Sequence, residues 1–204
     1  MSAARPEVLV VRTGTANTAS VMAALARAGA DPRLDDDPRG VARAERVCLP
    51  GVGAFAAAMA HLESKGLAGP LAARVEAGRT TLAICLGLQI LFDASEESPG
   101  KKGLGLFRGG AERFPDSVRV PQMGWNSIDP DASCRLLRAG HVYFANSYRI
   151  RTAPPGYGAA LADHAGAFVA AIERAGVLAC QFHPELSGAF GRDLLERWLA
   201  LPPC

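Results

Sequence analysis

The sequence predicts an α/β fold: a mostly parallel central sheet with helices on both faces and an added antiparallel strand region in the second half. Three observations carry this expectation. Short apolar runs alternate with helical patterns in the first half, as in parallel strands joined by crossover helices. Strand-like runs follow one another in the second half with little helix between them. The 204 residues, 49% hydrophobic and 21% charged, suffice for a sizeable core, so one domain spanning 1–204 is expected.

The elements follow from local pattern. Residues 7–12 read as a strand and 17–29 as a helix that Asn17 caps and Gly29 stops. Residues 31–40, rich in Asp, Pro and Gly, read as turns. A short buried strand falls at 46–49, and helices at 54–65 and 67–77 are separated around Gly66. A third buried strand, 80–84, runs directly into a helical stretch, 86–92. Residues 95–110, rich in Gly, Lys and Glu, are expected as a long exposed excursion. Antiparallel strands are expected at 119–128, 142–150, 159–163, 168–174 and 177–182, with a hairpin turn at 173–176. An amphipathic helix at 191–199 closes the chain.

Composition excludes several function classes. With 22 Lys+Arg against 20 Asp+Glu, the net charge of +2 lacks the basic excess that displaces counterions from nucleic acid. High apolar content with little net charge argues against disorder. No run approaches the ~18 apolar residues of a membrane span. The first residues lack the apolar region of a secretory signal, so a cytoplasmic location is expected. Five cysteines at irregular spacings, without a C-x-x-C pair, give neither a disulfide framework nor a metal-ligand rhythm with the four histidines. No metal or nucleotide cofactor is expected, because neither a P-loop nor a dinucleotide-type glycine pattern is present.

Chemistry is suggested at three places. Cys85 lies where a buried strand meets a helix, in Leu82-Ala-Ile-Cys-Leu-Gly-Leu-Gln89. A nucleophile on such a turn is held at the carboxyl end of the sheet, with Ala83 and Gly87 small enough to let the turn pack. The helix N-terminus there favours a thiolate, and its backbone N–H groups can hold an oxyanion. Taken alone, Cys85 reads first as a buried strand-end cysteine. Gln181-Phe-His-Pro-Glu185 offers a base and its orienter: Glu185 could fix the His183 tautomer while His183 relays protons. It reads equally well as a turn with a surface His and Glu. The glycines of Leu49-Pro-Gly-Val-Gly-Ala-Phe55 let backbone amides approach a ligand, or merely make a flexible turn.

Together, Pro50-Gly-Val-Gly53, Cys85-Leu-Gly-Leu-Gln89 and His183-Pro-Glu185, in that order, resemble the Cys-His-Glu family of glutamine amidotransferases. That resemblance implies glutamine hydrolysis through a thioester, with ammonia passed to a synthase partner. It implies Cys85 as nucleophile, His183 as general acid/base and Glu185 as its orienter. The backbone amides of Val52 and Leu86 would form the oxyanion hole. Gly51, Gly53, Gln89, Asn146, Ser147 and Tyr148 would bind glutamine.

Two more segments narrow the resemblance. Val120-Pro-Gln-Met-Gly-Trp-Asn126 is similar to the Pro-His-Met-Gly-Trp-Asn stretch of the glutaminase subunits of imidazole glycerol phosphate synthases. His141-Val-Tyr-Phe-Ala-Asn-Ser-Tyr148 is similar to their Tyr-Phe-Val-His-Ser-Tyr strand. The implied partner is a cyclase subunit, a (β/α)8 barrel bound as a heterodimer, that uses the ammonia in histidine biosynthesis. Asn17, Gln122, Met123, Trp125, Asn126 and Leu186 would lie at that interface. Without the other motifs, Met123 and Trp125 at alternate strand positions read as one buried face.

The sequence departs from the family at several points. Ala83 stands where Gly is usual, Gln122 and Asn146 where His is usual, and Leu186 where Lys is frequent. Arg12-Thr-Gly-Thr-Ala-Asn17 replaces Asp-Tyr-Gly-x-Gly-Asn. None of these touches Cys85, His183 or Glu185. Three alternatives remain open: a paralogous glutaminase feeding a sugar-aminating synthase, a catalytically silent partner-binding scaffold, and a cysteine peptidase or amidohydrolase.

Overall fold

The computed structural model describes residues 4–14 and 18–202. Five strands form the parallel half: β1 (Glu7–Val11), β2 (Asp31–Asp35), β3 (Val47–Gly51), β4 (Thr81–Cys85) and β12 (Val177–Cys180). They lie in the order β2-β1-β3-β4-β12, and the sheet continues antiparallel through β11 (Ala167–Arg174), β10 (Gly158–Asp163), β7 (Gln122–Pro130) and β8 (Gly140–Asn146). Three short strands, β5 (Phe92–Ser95), β6 (Phe107–Arg113) and β9 (Tyr148–Ile150), join through β11. The helices are α1 (Thr18–Arg27), α2 (Pro38–Arg43), α3 (Phe55–Ser64), α4 (Ala68–Glu76), α5 (Leu86–Gln89) and α6 (Gly188–Leu199).

β3, β4 and β12 are buried along their whole length, which is why they read as continuous apolar runs instead of alternating ones. Two apolar clusters cover the two faces of this sheet. One joins α1 and α6, with Leu25, Leu194 and Trp198, to Val8, Leu82 and Leu178. The other joins α3 and α4, with Phe55, Leu62 and Leu71, to Leu9, Leu49 and Ala83. Arg74, buried in α4, ties that layer to the sheet by donating to the carbonyls of Val41 (2.9 Å), Ala44 (3.0 Å) and Thr80 (2.9 Å). Its fixed fork of donors satisfies several chain ends at once.

The fold differs from the sequence expectation in four places. Residues 31–40 are not turns: β2 pairs with β1 over its whole length, and α2 follows, capped by Asp37, which accepts from Arg39 N (3.2 Å) and Gly40 N (3.1 Å). Asp37 as cap and Pro38 as first helical residue are the start signal of α2, and β2 is polar because it is an edge strand. The helical stretch at 86–92 stops after one turn. The carbonyls of Ile90 and Leu91 turn instead to Leu104 N (2.7 Å) and Leu106 N (2.9 Å). That same return gives residues 95–110 structure, and β6 begins at Phe107. The strand expected at 142–150 is broken at Ser147, whose carbonyl accepts from Phe114 N (3.0 Å). Asn17, expected to cap α1, lies outside the described residues.

Candidate active site

Cys85 ends β4, a central strand flanked by β3 and β12. Its backbone sits at φ 55°, ψ −108°, a strained conformation for a residue with a side chain. The sharp turn it makes needs close approach. A methyl added to Gly87 would meet the Leu49 carbonyl oxygen at 2.3 Å, and one added to Gly51 would meet Gly87 N at 2.7 Å. Gly51 therefore backs the turn and does not line the cavity, unlike its expected place among the glutamine contacts. Ala83 is buried within β4, beneath this turn.

The parallel register brings the second segment alongside. Cys180 pairs with Ile84, so the residues that follow β12 stand beside Cys85. His183 then leaves the sheet and docks on β8: its N–H donates to Tyr143 O (2.9 Å), and its carbonyl accepts from Ser187 Oγ (2.7 Å). Pro184 starts a single 3-10 turn, Pro184–Leu186, that returns Glu185 to the imidazole. Glu185 Oε1 lies 2.8 Å from His183 Nδ1, and both side chains are buried.

The electrostatics match this geometry. Burial pulls the His183 pKa down, but hydrogen bonds with Cys85 and Glu185, and the electrostatic attraction of both groups, more than offset it and raise it to about 10. The two partners thus favour the protonated imidazole, with Glu185 on Nδ1 and the Cys85 sulfur as its other hydrogen-bond partner. The other described cysteines differ. Burial raises the Cys48 and Cys180 thiols well above the ordinary range, and burial beside Glu173 and Asp131 raises Cys134 to about 12. Cys48 and Cys180 are buried packing groups.

A cavity of about 170 Å³ opens over the sulfur, lined by Val52, Gly53, Cys85, Leu86, Gln89, Glu97 and residues 145–148. Eight of the expected site residues meet there: Val52, Gly53, Cys85, Leu86, Gln89, Asn146, Ser147 and Tyr148. Gln89 reaches it because it lies one helical turn beyond Cys85.

Glu97 was not legible from sequence. It belongs to the segment expected to be exposed, yet its Oε2 accepts from Phe55 N (2.6 Å) and Ser98 Oγ from Ala56 N (3.2 Å). These two side chains cap α3, whose preceding residue, Ala54, offers no side-chain cap. Capping across 42 positions of sequence leaves no local signal.

The β7–β8 ribbon carries the residues expected at a partner face. Met123 (61% exposed) and Trp125 (57%) do share one face of β7, but it is the outer one. Trp125 stands edge-on to Tyr143, and Leu186 is also exposed. Gln122 corrects the expectation: it is 6% exposed, points inward and pairs in register with Asn146. Gln122 Oε1 and Asn146 Oδ1 have no donor among the described residues, while Asn146 Nδ2 donates to Tyr148 O (2.9 Å). Asn126 is held by its own chain, donating to Asp163 O (2.8 Å) and accepting from Ser127 N (2.8 Å). Asn17 lies outside the described residues.

The family described as Glutamine amidotransferase class-I matches residues 35–200. The chain belongs to that family. Among curated relatives, the Streptococcus gordonii protein named Imidazole glycerol phosphate synthase subunit HisH is 41% identical over 195 residues, covering 93% of this chain and 94% of the relative. The Deinococcus radiodurans protein of the same name is 40% identical over 201 residues, covering 96% and 94%. Solved members of the fold are more distant in sequence. A crystal structure of a glutamine amidotransferase superposes with TM-score 0.73 at 20% identity over 95% of this chain and 97% of its own. A chain of the Thermotoga maritima PurLQS structure gives TM-score 0.71 at 16% identity, over 96% and 98%. Among the described residues no helix is long and apolar enough to cross a membrane, and no cluster suited to a metal ion occurs.

Proposed function

We propose that this chain is the glutaminase subunit of an imidazole glycerol phosphate synthase, hydrolysing glutamine to glutamate and supplying the ammonia to a cyclase subunit in histidine biosynthesis. One observation carries the reading: Cys85, His183 and Glu185 converge from two adjacent parallel strands, beneath a cavity with one carboxylate wall, in a chain about 40% identical to subunits of that name. The whole of 1–204 acts as one domain, and the protein works in the cytoplasm.

The chemistry follows from the geometry. The Cys85 sulfur attacks the carboxamide carbon of glutamine, and the developing oxyanion is held by the backbone N–H groups of Val52 and Leu86. His183 gives its proton to the departing ammonia, leaving a thioester. It then takes a proton from water, which attacks the thioester and releases glutamate. Glu185 holds the imidazole in the tautomer that faces sulfur. Glu97, the carboxylate of the cavity wall, faces the α-ammonium of glutamine, while Gln89 and the Asn146–Tyr148 stretch hold its polar ends. No step calls on a metal or cofactor.

Met123, Trp125 and Leu186 form the docking face for the cyclase, a (β/α)8 barrel bound as a heterodimer. They are exposed apolar groups, Met123 pairs in register with Ala145 of the cavity wall, and Trp is enriched among residues that anchor interfaces. Gln122 acts from beneath this face, through Asn146, and Asn126 acts by holding the ribbon in shape.

The test is ammonia release from glutamine by the purified chain, with and without the cognate cyclase and its nucleotide substrate. Stimulation by the complete pair, abolished in Cys85→Ala, is expected. No release from a folded chain beside a functional cyclase overturns the assignment and points to another synthase or to a silent scaffold. Peptide hydrolysis without glutaminase activity overturns it in favour of a peptidase.

A further inference from the structure

We infer that Gln181 is a positioning residue that aims the Cys85 sulfur and sets which end of the Gln89 amide faces bound glutamine. The inference deepens the glutaminase reading and rests on it. Gln181 is wholly buried, immediately after β12, at the height of Cys85 on β4. Its side chain lies behind the cavity wall and reaches neither solvent nor the cavity itself, and a buried amide left unpaired is costly. Here both ends are engaged. Nε2 donates to Cys85 Sγ at 3.6 Å, and Oε1 accepts from Gln89 Nε2 at 2.9 Å. Gln89 Nε2 also donates to Tyr148 O at 3.2 Å.

Donor and acceptor accounting gives this chain a direction. Gln181 turns its NH2 end toward the sulfur, which accepts from it at 3.6 Å. Its carbonyl then points at Gln89 and requires a donor there. Both N–H bonds of Gln89 are used, one on Gln181 and one on Tyr148 O. The group that Gln89 offers to the cavity is therefore its carbonyl oxygen, an acceptor for an N–H of glutamine. Without Gln181 the Gln89 amide is free to reverse and present donors to the substrate. The sulfur also loses a donor that acts from a direction other than His183. The network thus ties readiness of the nucleophile to polarity of the substrate pocket.

Two substitutions separate these effects. Gln181→Met fills a similar volume and abolishes both hydrogen bonds. Gln181→Glu keeps an acceptor for Gln89 but replaces the N–H on sulfur with a carboxylate. Each is assayed in complex with the cognate cyclase for kcat and KM of ammonia release. Each is also assayed without glutamine for the pH dependence of Cys85 alkylation by iodoacetamide.

Gln181→Met is expected to lower kcat and raise KM, with kcat/KM falling on the order of tenfold to a hundredfold, as for buried partners left without their hydrogen bonds. Gln181→Glu is expected to lower kcat by about tenfold or more with KM nearly unchanged. It should also move the alkylation midpoint to higher pH, because a carboxylate then faces the sulfur. A purely structural role moves neither the KM-against-kcat split nor the alkylation profile. Both variants within about twofold of the parent, with unshifted alkylation, overturn the inference. If Gln181→Met fails to fold, the near-isosteric Gln181→Glu decides alone. Cys85→Ala run in parallel keeps the two failures apart: ammonia release that survives this change sinks the glutaminase reading, whereas its loss beside unaffected Gln181 variants sinks only the role of Gln181.

Discussion

The two halves of the sheet treat their side chains in opposite ways. At the carboxyl ends of β3, β4 and β12, small groups are packed without slack and polar groups are joined in a closed network of Cys85, Gln181, Gln89 and Tyr148. On the β7–β8 ribbon, large apolar groups stand in solvent, and two inward amide oxygens find no donor among the described residues. Chemistry requires reacting atoms held within a fraction of an ångström, which buried parallel strands supply. Docking requires apolar surface that a partner can cover, which an exposed ribbon supplies. His183 belongs to both halves, since it follows β12 yet is held by Tyr143 of β8.

Four changes would break or sharpen that contrast. The largest effect is expected from Cys85→Ala, which should lower glutaminase turnover by about 10³-fold or more while leaving the fold and cyclase binding intact. Single-turnover ammonia release and co-elution with the cyclase check both parts. Next comes Gly87→Ala. Its methyl has no room beside the Leu49 carbonyl, so the nucleophile turn must shift, at a cost of ~1–3 kcal/mol in urea denaturation and with lower turnover. A variant as stable and active as the parent would show that the strand ends have slack after all.

Trp125→Ala tests the other half. It should weaken binding of the cyclase by ~2 kcal/mol, roughly thirtyfold in Kd by calorimetry, with little change in thermal stability. A large loss of stability instead would make Trp125 a packing residue of the ribbon. The smallest effect is a pH dependence. The His183 pKa lies above its ordinary 6.5, at about 10, so between those values the folded chain keeps a proton that the unfolded chain releases. Its contribution to stability is whole below pH 6.5 and is lost as pH rises through about 10. Denaturant midpoints should fall across that window, and less steeply in His183→Gln.

Much of the site was legible because its signals are local. A strand running straight into a turn marked Cys85, Pro184 between two titratable residues marked His183 and Glu185, and close glycines marked the loop at 51–53. Gln89 needed only helical spacing. Gln181 stands inside a motif the sequence singled out, yet its amide gains meaning only when β12 lies beside β4. Glu97 had no local sign at all, because the helix end it caps is 42 positions away. β2 was hidden by polar residues, whose strand conformation comes from pairing with β1.

What the sequence determined by itself is the alternation of buried strands and helices and the residue types able to do acyl transfer, since periodicity and turn chemistry act over a few residues. Which face of β7 meets water, that Gln122 turns inward, and that Gly51 braces a turn instead of lining a pocket were decided by tertiary structure. Those outcomes depend on register between strands distant in the chain, where a shift of one residue exchanges the faces.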